Sequence, residues 1–198
     1  SFAIDTEESG IFAVGLDSGE VLVASYDYTT SYAQRDNTRT LTPVVDYPFG
    51  TVPYRMFADQ PVTTVALRTR SGNLLLAGSN AQGQATLLRA SRQANLFAAF
   101  NTDSSAPSFD VVSATVPMLV TGTTRMFIEG DQRWLYFVSG NGLIRVLDMR
   151  AALSNQADQF AIESFLTTDG ARPTRIAFLL GGISLLVADS AGVVSQWF

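Results

Sequence analysis

The chain contains no cysteine, no histidine and no lysine; its thirteen basic residues are all arginine. Without cysteine there is no disulfide, no thiolate nucleophile and no sulfur-ligated metal. Without histidine the commonest general base and the commonest transition-metal ligand are missing. Without lysine there is no Schiff-base chemistry and no phosphate-binding P-loop. Serine therefore has no histidine partner, and no carboxylate pair is placed by its spacing for hydrolysis. No glycine-rich nucleotide loop is present. The expectation is a chain with no catalytic residue, no cofactor and no metal.

Charge is also scarce. Charged residues make up 16% of the chain, the net charge is −5 and the pI is about 4.6. That balance offers no basic surface for nucleic acid and no polybasic segment for anionic lipid. Long hydrophobic runs are missing too. Ile176 to Ala188 is uncharged, but Gly181-Gly182 interrupts it, and Val111 to Thr124 is Thr-rich and holds Pro117. A membrane-spanning helix needs roughly 20 apolar residues. No signal peptide or lipidation motif is visible. The chain stops at Phe198 inside an apolar run, which predicts a segment of a longer polypeptide.

What is present is an apolar, repetitive pattern. Hydrophobic residues are 46% of 198, enough for one packed domain. Arg175 to Phe198 holds three short apolar runs, Ile176–Leu180, Leu185–Ala188 and Val193–Phe198. They are separated by Gly181-Gly182 and by Asp189-Ser190-Ala191-Gly192, and they read as antiparallel strands with tight turns. The same unit recurs from anchors at Ser1, Thr64 and Arg125, with spacings of 63, 61 and 50 residues. In each copy the second run starts ten residues after the anchor, at Ile11, Leu74, Leu135 and Leu185. A glycine then follows, Gly19, Gly83, Gly142 or Gly192, where a hairpin turn needs positive φ. A fourth run closes three copies: Leu41–Tyr47, Phe109–Val116 and Ile162–Leu166.

Four-stranded units repeating along a chain predict an all-β, β-propeller-like fold. The expected units are 1–63, 64–124, 125–174 and 175–198, four sequential antiparallel blades of about fifteen strands in all, the last lacking its outer strand. Such blades form an open arc, a closed ring or part of a larger propeller. The Ala-rich runs Ser91–Phe100 and Arg150–Ala161 predict a turn or two of helix. Loops are expected at Tyr28–Thr40, Asn101–Ser108 and Thr167–Pro173.

Two constellations are candidate sites. Five of the six tyrosines fall between Tyr26 and Tyr54, interleaved with Arg35, Arg39 and Arg55. Tyr26, Tyr28, Tyr32, Arg35 and Arg39 have the composition of a loop-borne protein-binding patch. The alternative is an excursion that packs its rings over the first blade. Hydroxyls and guanidiniums also recur just before the first strands: Thr63-Thr64, Thr123-Thr124-Arg125, and Arg172 with Thr174-Arg175. Converging at one face, Thr123, Thr124, Arg125, Arg172, Thr174 and Arg175 could hold an oxyanion; hydroxyls more often anchor turns. Trp134 and Trp197 are expected in core or inter-blade packing, and Asp17, Asn141 and Asp189 in strand turns.

The ending Leu185–Phe198, L-L-V-A-D-S-A-G-V-V-S-Q-W-F, resembles a segment of the large phosphate ABC transporter permeases of the PstC type. In those proteins a propeller-like extracytoplasmic insert lies between membrane helices. The resemblance implies a non-catalytic interaction or regulatory domain on the periplasmic side of the bacterial inner membrane. Its implied partner is the periplasmic phosphate-binding protein or another envelope protein. This chain has neither the membrane spans nor the ATPase-coupling loop of a whole permease, so no site residue carries over. The competing readings are a WD-like interaction scaffold unrelated to transport and, behind it, an enzyme on the same fold.

Overall fold

The computed structural model describes residues 1–5, 10–32, 38–92, 109–116, 120–154, 162–166, 171–179 and 184–197. They form four antiparallel sheets that follow one another along the chain. Sheet 1 runs β1 (Phe2–Ile4), β2 (Ile11–Gly15), β3 (Glu20–Tyr32), β4 (Arg39–Asp46), with the two-residue β5 (Tyr54–Arg55) also paired to β3. Sheet 2 is β6 (Thr64–Arg70), β7 (Asn73–Ser79), β8 (Ala85–Arg92), β9 (Phe109–Thr115). Sheet 3 is β10 (Thr123–Ile128), β11 (Trp134–Ser139), β12 (Leu143–Asp148), β13 (Ile162–Leu166). Sheet 4 has three strands, β14 (Pro173–Phe178), β15 (Leu185–Asp189) and β16 (Val194–Trp197). The all-β, propeller-like succession of blades expected from the repeats is thus present, with β5 as the one strand they did not signal.

Local chemistry explains the hairpins. Gly19, Gly83, Gly142 and Gly192 all have positive φ, between 80° and 90°, at the turn after the second strand. Gly19 and Gly83 are also crowded: a Cβ on Gly83 would lie 2.7 Å from the Thr121 backbone nitrogen, and one on Gly19 would collide with the Phe57 carbonyl. The segment leading into the next sheet lies over each turn. The Val62 N–H donates to the Leu16 carbonyl, and the Val120 N–H donates to the Gly83 carbonyl. The boundaries expected at Arg125 and Arg175 fall inside strands. Both β10 and β14 begin two residues earlier, and each carries a register shift there, between Thr123 and Arg125 and between Pro173 and Arg175.

Apolar side chains on facing sheets make three cores. Ile11, Ala13, Val21 and Val23 of sheet 1 pack with Val65, Leu67, Leu74, Leu76 and Leu88 of sheet 2. Ala66, Leu75, Ala77, Ala85 and Leu87 on the other side of sheet 2 pack with Met126, Ile128, Leu135, Phe137 and Leu147 of sheet 3. Val138 and Ile144 of sheet 3 meet Leu185 and Val187 of sheet 4, with Trp197 packed against them as expected. Trp134 instead lies under the Arg133 guanidinium, 4.4 Å from its ring centre.

The first two sheets are also joined by a buried ion pair, Asp5 to Arg68 at 3.7 Å. The Asp5 carboxylate accepts from the backbone N–H and the hydroxyl of Thr69, both at 2.6 Å. Removing one partner of a buried pair leaves the other charge uncompensated, typically at about 3–5 kcal/mol.

The helix expected from Arg150 is present as α1 (Met149–Leu153), capped by Asp148, and it buries Met149, Ala152 and Leu153. The other Ala-rich run differs from expectation. Ser91 and Arg92 end strand β8, where ladder bonds to Asp110 and Phe109 override the local helix preference, and residues 93–100 lie outside the described residues. The expected loops at 101–108 and 167–170 lie outside them as well.

Candidate interaction surface

The tyrosine-rich segment is not a loop. Strand β3 runs on to Tyr32 and pairs with β4 from Tyr26↔Val45 to Tyr32↔Arg39, so of the loop expected from Tyr28 to Thr40 the residues Tyr28–Tyr32, Arg39 and Thr40 form a two-stranded ladder, and residues 33–37 lie outside the described residues. Threonines, tyrosines and valines on both sides favour that extended pairing. Strand β2 pairs only with the first part of β3, up to Ser25. Beyond it, seven residue pairs stand as a hairpin arm, roughly 20 Å long at strand rise.

The arm is amphipathic by register. Alternation puts Tyr26, Tyr28, Thr30 and Tyr32 on one face, opposite Val45, Pro43, Leu41 and Arg39. The other face carries Asp27, Thr29 and Ser31 opposite Val44, Thr42 and Thr40. Among the described residues nothing covers the apolar face: Tyr26, Tyr28, Tyr32, Leu41 and Val45 are each at least half exposed. Pro43 is accommodated because β4 is an edge strand. The Tyr47 ring is also exposed. Tyr54 is set apart: its hydroxyl donates to the Phe49 carbonyl at 2.6 Å, and burial raises its pKa. Arg35 lies outside the described residues. The contribution of Leu41, Pro43 and Val45 was missed at the sequence level, although the alternation Arg39-Thr40-Leu41-Thr42-Pro43 was there to signal a strand with one apolar side.

The hydroxyl-rich cluster is brought together differently from an anion cradle. The Thr63 hydroxyl donates to the Ser79 carbonyl at 3.0 Å, Thr124 to Val138 at 3.2 Å and Thr174 to Ala188 at 3.1 Å. The Thr123 hydroxyl donates to the Val120 carbonyl. The hydroxyl protons of Thr123, Thr124 and Thr174 are thus each on a backbone carbonyl of a neighbouring strand or turn. Arg125 links two of the groups by donating to the Thr174 carbonyl at 2.9 Å, and the Arg172 backbone N–H donates to the Ser190 hydroxyl. Arg172 and Arg175 are exposed. The Thr63, Thr124 and Thr174 bonds hold the start of each first strand to the second strand beside it, and the Arg125 bond ties one first strand to the next. Asp189 and Asn141 act similarly in their turns, Asp189 accepting from Ala191 and Val193 and Asn141 from Leu143.

The first strands of all four sheets line one cavity of about 1170 Å³, with Ile4, Arg68, Arg125 and Phe178 among its walls. Arg70 and Asp131 form an ion pair at 3.2 Å on its rim. Close by, Glu129 is buried with Oε2 lacking a hydrogen-bond partner. Burial and the charge of Asp131 raise its pKa, against the opposing pull of the Trp134 backbone N–H, Arg133 and Arg150. Burial, with the Glu129 charge second, pushes Tyr136 up to about 12. Among the described residues no three acidic side chains gather in a way that could hold a metal ion, and no helix is long and apolar enough to cross a membrane.

The class defined by these features is an all-β succession of blade-like sheets with an aromatic hairpin arm. No family model matches the chain, and no curated protein matches it. Among the solved structures that match the chain are two with the following figures. Apo AztD from Citrobacter koseri is 18% identical with a TM-score of 0.43, over 92% of this chain and 39% of that one. The complex of KlAtg21 with the coiled-coil of AgAtg16 is 14% identical with a TM-score of 0.43, over 98% of this chain and 50% of that one. The chain therefore spans half or less of the length of either.

Proposed function

We propose that the chain is a non-catalytic interaction domain and that the β3–β4 arm is its protein-binding element. The observation that carries this reading is the uncovered aromatic face, Tyr26, Tyr28 and Tyr32 beside Leu41 and Val45, held on a ladder rather than buried against its own sheet. Tyrosine combines large apolar area, a polar tip and few rotatable bonds, which suits a face that alternates between water and a partner. Absence of histidine, cysteine and lysine supports the non-catalytic part.

The narrower reading rests on the resemblance of Leu185–Phe198 alone. In it the domain belongs to a PstC-type phosphate permease, faces the periplasm and docks the periplasmic phosphate-binding protein. The test is titration of the purified chain with that binding protein, beside a Tyr26→Ala/Tyr28→Ala/Tyr32→Ala variant with an unchanged circular-dichroism spectrum. The expected result is binding that weakens at least tenfold in the variant, about 1.4 kcal/mol. Equal binding by both would remove the arm as the interface, and no binding by either would remove the named partner.

A further inference from the structure

The turn between β7 and β8 holds one buried amide that orients two others. Asn80 is only 4% exposed. Its Oδ1 accepts from the Gln84 backbone N–H at 2.9 Å. A backbone N–H can only donate, so this bond fixes which way the Asn80 carboxamide points. Its Nδ2 then donates to the side-chain oxygens of both Gln60 and Gln84, the latter at 2.7 Å. Both glutamines must offer Oε1 to Asn80, which turns their NH2 groups away from it. Among the described residues neither NH2 group has a hydrogen-bond partner.

Gln60 reaches this turn from the segment that leads out of sheet 1. The Met56 and Phe57 N–H groups donate to the Gly19 carbonyl at 2.9 and 3.0 Å and tie the segment down. Asp59 turns it with a φ of 55°, in the left-handed region that a non-glycine residue adopts at a cost. The result is a pocket of about 310 Å³ between sheets 1 and 2, inside the array. That is the small end of the roughly 300–1,000 Å³ of ligand sites. Gln60, Gln84 and Thr86 are among its polar walls, the buried Met56 and Phe57 among its apolar ones, and no charged residue lines it. The Thr86 hydroxyl donates to the Met56 carbonyl at 3.2 Å, so its oxygen is left to act as an acceptor.

The pocket therefore has fixed and opposite polar roles: two NH2 groups that donate and one hydroxyl oxygen that accepts. A carboxamide matches both, its carbonyl taking the donors and its own N–H giving to the oxygen. A carboxylate has no proton for Thr86 and would lose water without gaining a countercharge, in a chain of net charge −5. An ammonium group has no acceptor for the glutamines. We propose that this pocket binds an uncharged carboxamide whose short apolar stem lies against Met56 and Phe57. Gln60, Gln84 and Thr86 touch the ligand, and Asn80 is a positioning residue. The group comes from a small free amide or from an amide on a partner chain. The pocket sits at the start of β3 and the arm at its end, so the inference stands apart from the arm reading.

NMR of the side-chain NH2 groups of the isotope-labelled chain, titrated with propionamide, tests this. The expected result is saturable, roughly millimolar binding that shifts the Gln60 and Gln84 signals. Propionate and glucose should bind at least tenfold more weakly. Gln60→Ala and Gln84→Ala trim side chains that reach solvent, so folding persists, and each weakens propionamide binding at least tenfold. Asn80→Asp keeps the acceptor for the Gln84 backbone N–H but removes the donor, so both glutamines turn over and present oxygen to the pocket. That variant, with an unchanged circular-dichroism spectrum, should lose propionamide and gain ethylammonium, a reversal that a merely structural asparagine would not give. Tighter binding of a capped Gly-Gln-Gly peptide than of free glutamine would put the amide on a partner chain; the reverse order would make it a free small molecule. No shift of either signal at roughly 100 mM propionamide, equal binding of propionate or glucose, or glutamine variants that bind as the parent does would each overturn the assignment. None of these results bears on the arm.

Discussion

Strands β7 and β2 hold the same place in their sheets and read alike, Leu74-Leu75-Leu76-Ala77 against Ile11-Phe12-Ala13-Val14. In β7 every residue from Leu74 to Ser79 is buried. In β2 burial alternates: Ile11, Ala13 and Gly15 are inside, while Phe12 and Val14 are only half covered. Strand β15 at the other end of the array alternates in the same way. Composition does not separate these strands; neighbours do. Sheet 2 lies between two others, so its residues are covered from both sides, whereas sheets 1 and 4 each have one packed face. The same apolar composition is therefore covered on both sides in a middle sheet and on one side in an end sheet.

The largest expected effect comes from the covered side of that contrast. Leu74→Ala removes a fully buried side chain from the core between sheets 1 and 2 and should cost about 2–5 kcal/mol in urea unfolding. Phe12→Ala should cost less than half as much at 1 μM protein. If the loss for Phe12→Ala grows with protein concentration, the open face is being covered by association. Equal losses at every concentration would break the contrast between middle and end sheets.

Next come the equivalent glycines. Gly83 and Gly192 share φ near 80°, but a Cβ meets the Thr121 backbone at Gly83 and nothing within 4 Å at Gly192. Gly192→Ala should cost about 1–2 kcal/mol from backbone conformation alone. Gly83→Ala should cost about 3 kcal/mol or more, since the chain leading into sheet 3 must also shift. Similar melting temperatures for the two variants would show that this segment does not hold the turn as tightly as its bonds suggest.

The smallest effect concerns Glu129. Its folded pKa is raised above the ordinary 4.5, so its favourable contribution is complete below that value and is lost as pH climbs through the folded pKa. Glu129→Gln should therefore raise the melting temperature at pH 7 and leave it nearly unchanged at pH 4. A stabilisation of the same size at both values would place the cause in packing rather than in charge.

The positions of the strands and turns were legible in the sequence because they are local matters. The ten-residue step from anchor to second strand and the glycine after it depend on a few neighbouring dihedrals, and Gly19, Gly83, Gly142 and Gly192 carry that requirement openly. The candidate site was half legible. Its tyrosines and Arg39 could be named, but whether they sat on a loop or a ladder depended on pairing with Leu41, Pro43 and Val45 across the hairpin. The roles of the Thr123, Thr124 and Thr174 hydroxyls were likewise out of reach, since the carbonyls that accept from them belong to other strands or turns. By itself the sequence determined the number and order of the sheets, while the anchors at Arg125 and Arg175 fell inside their strands. Only the tertiary structure decided which faces were covered, which were left open and that the first strands share one cavity, because burial is a property of a residue's neighbours in space.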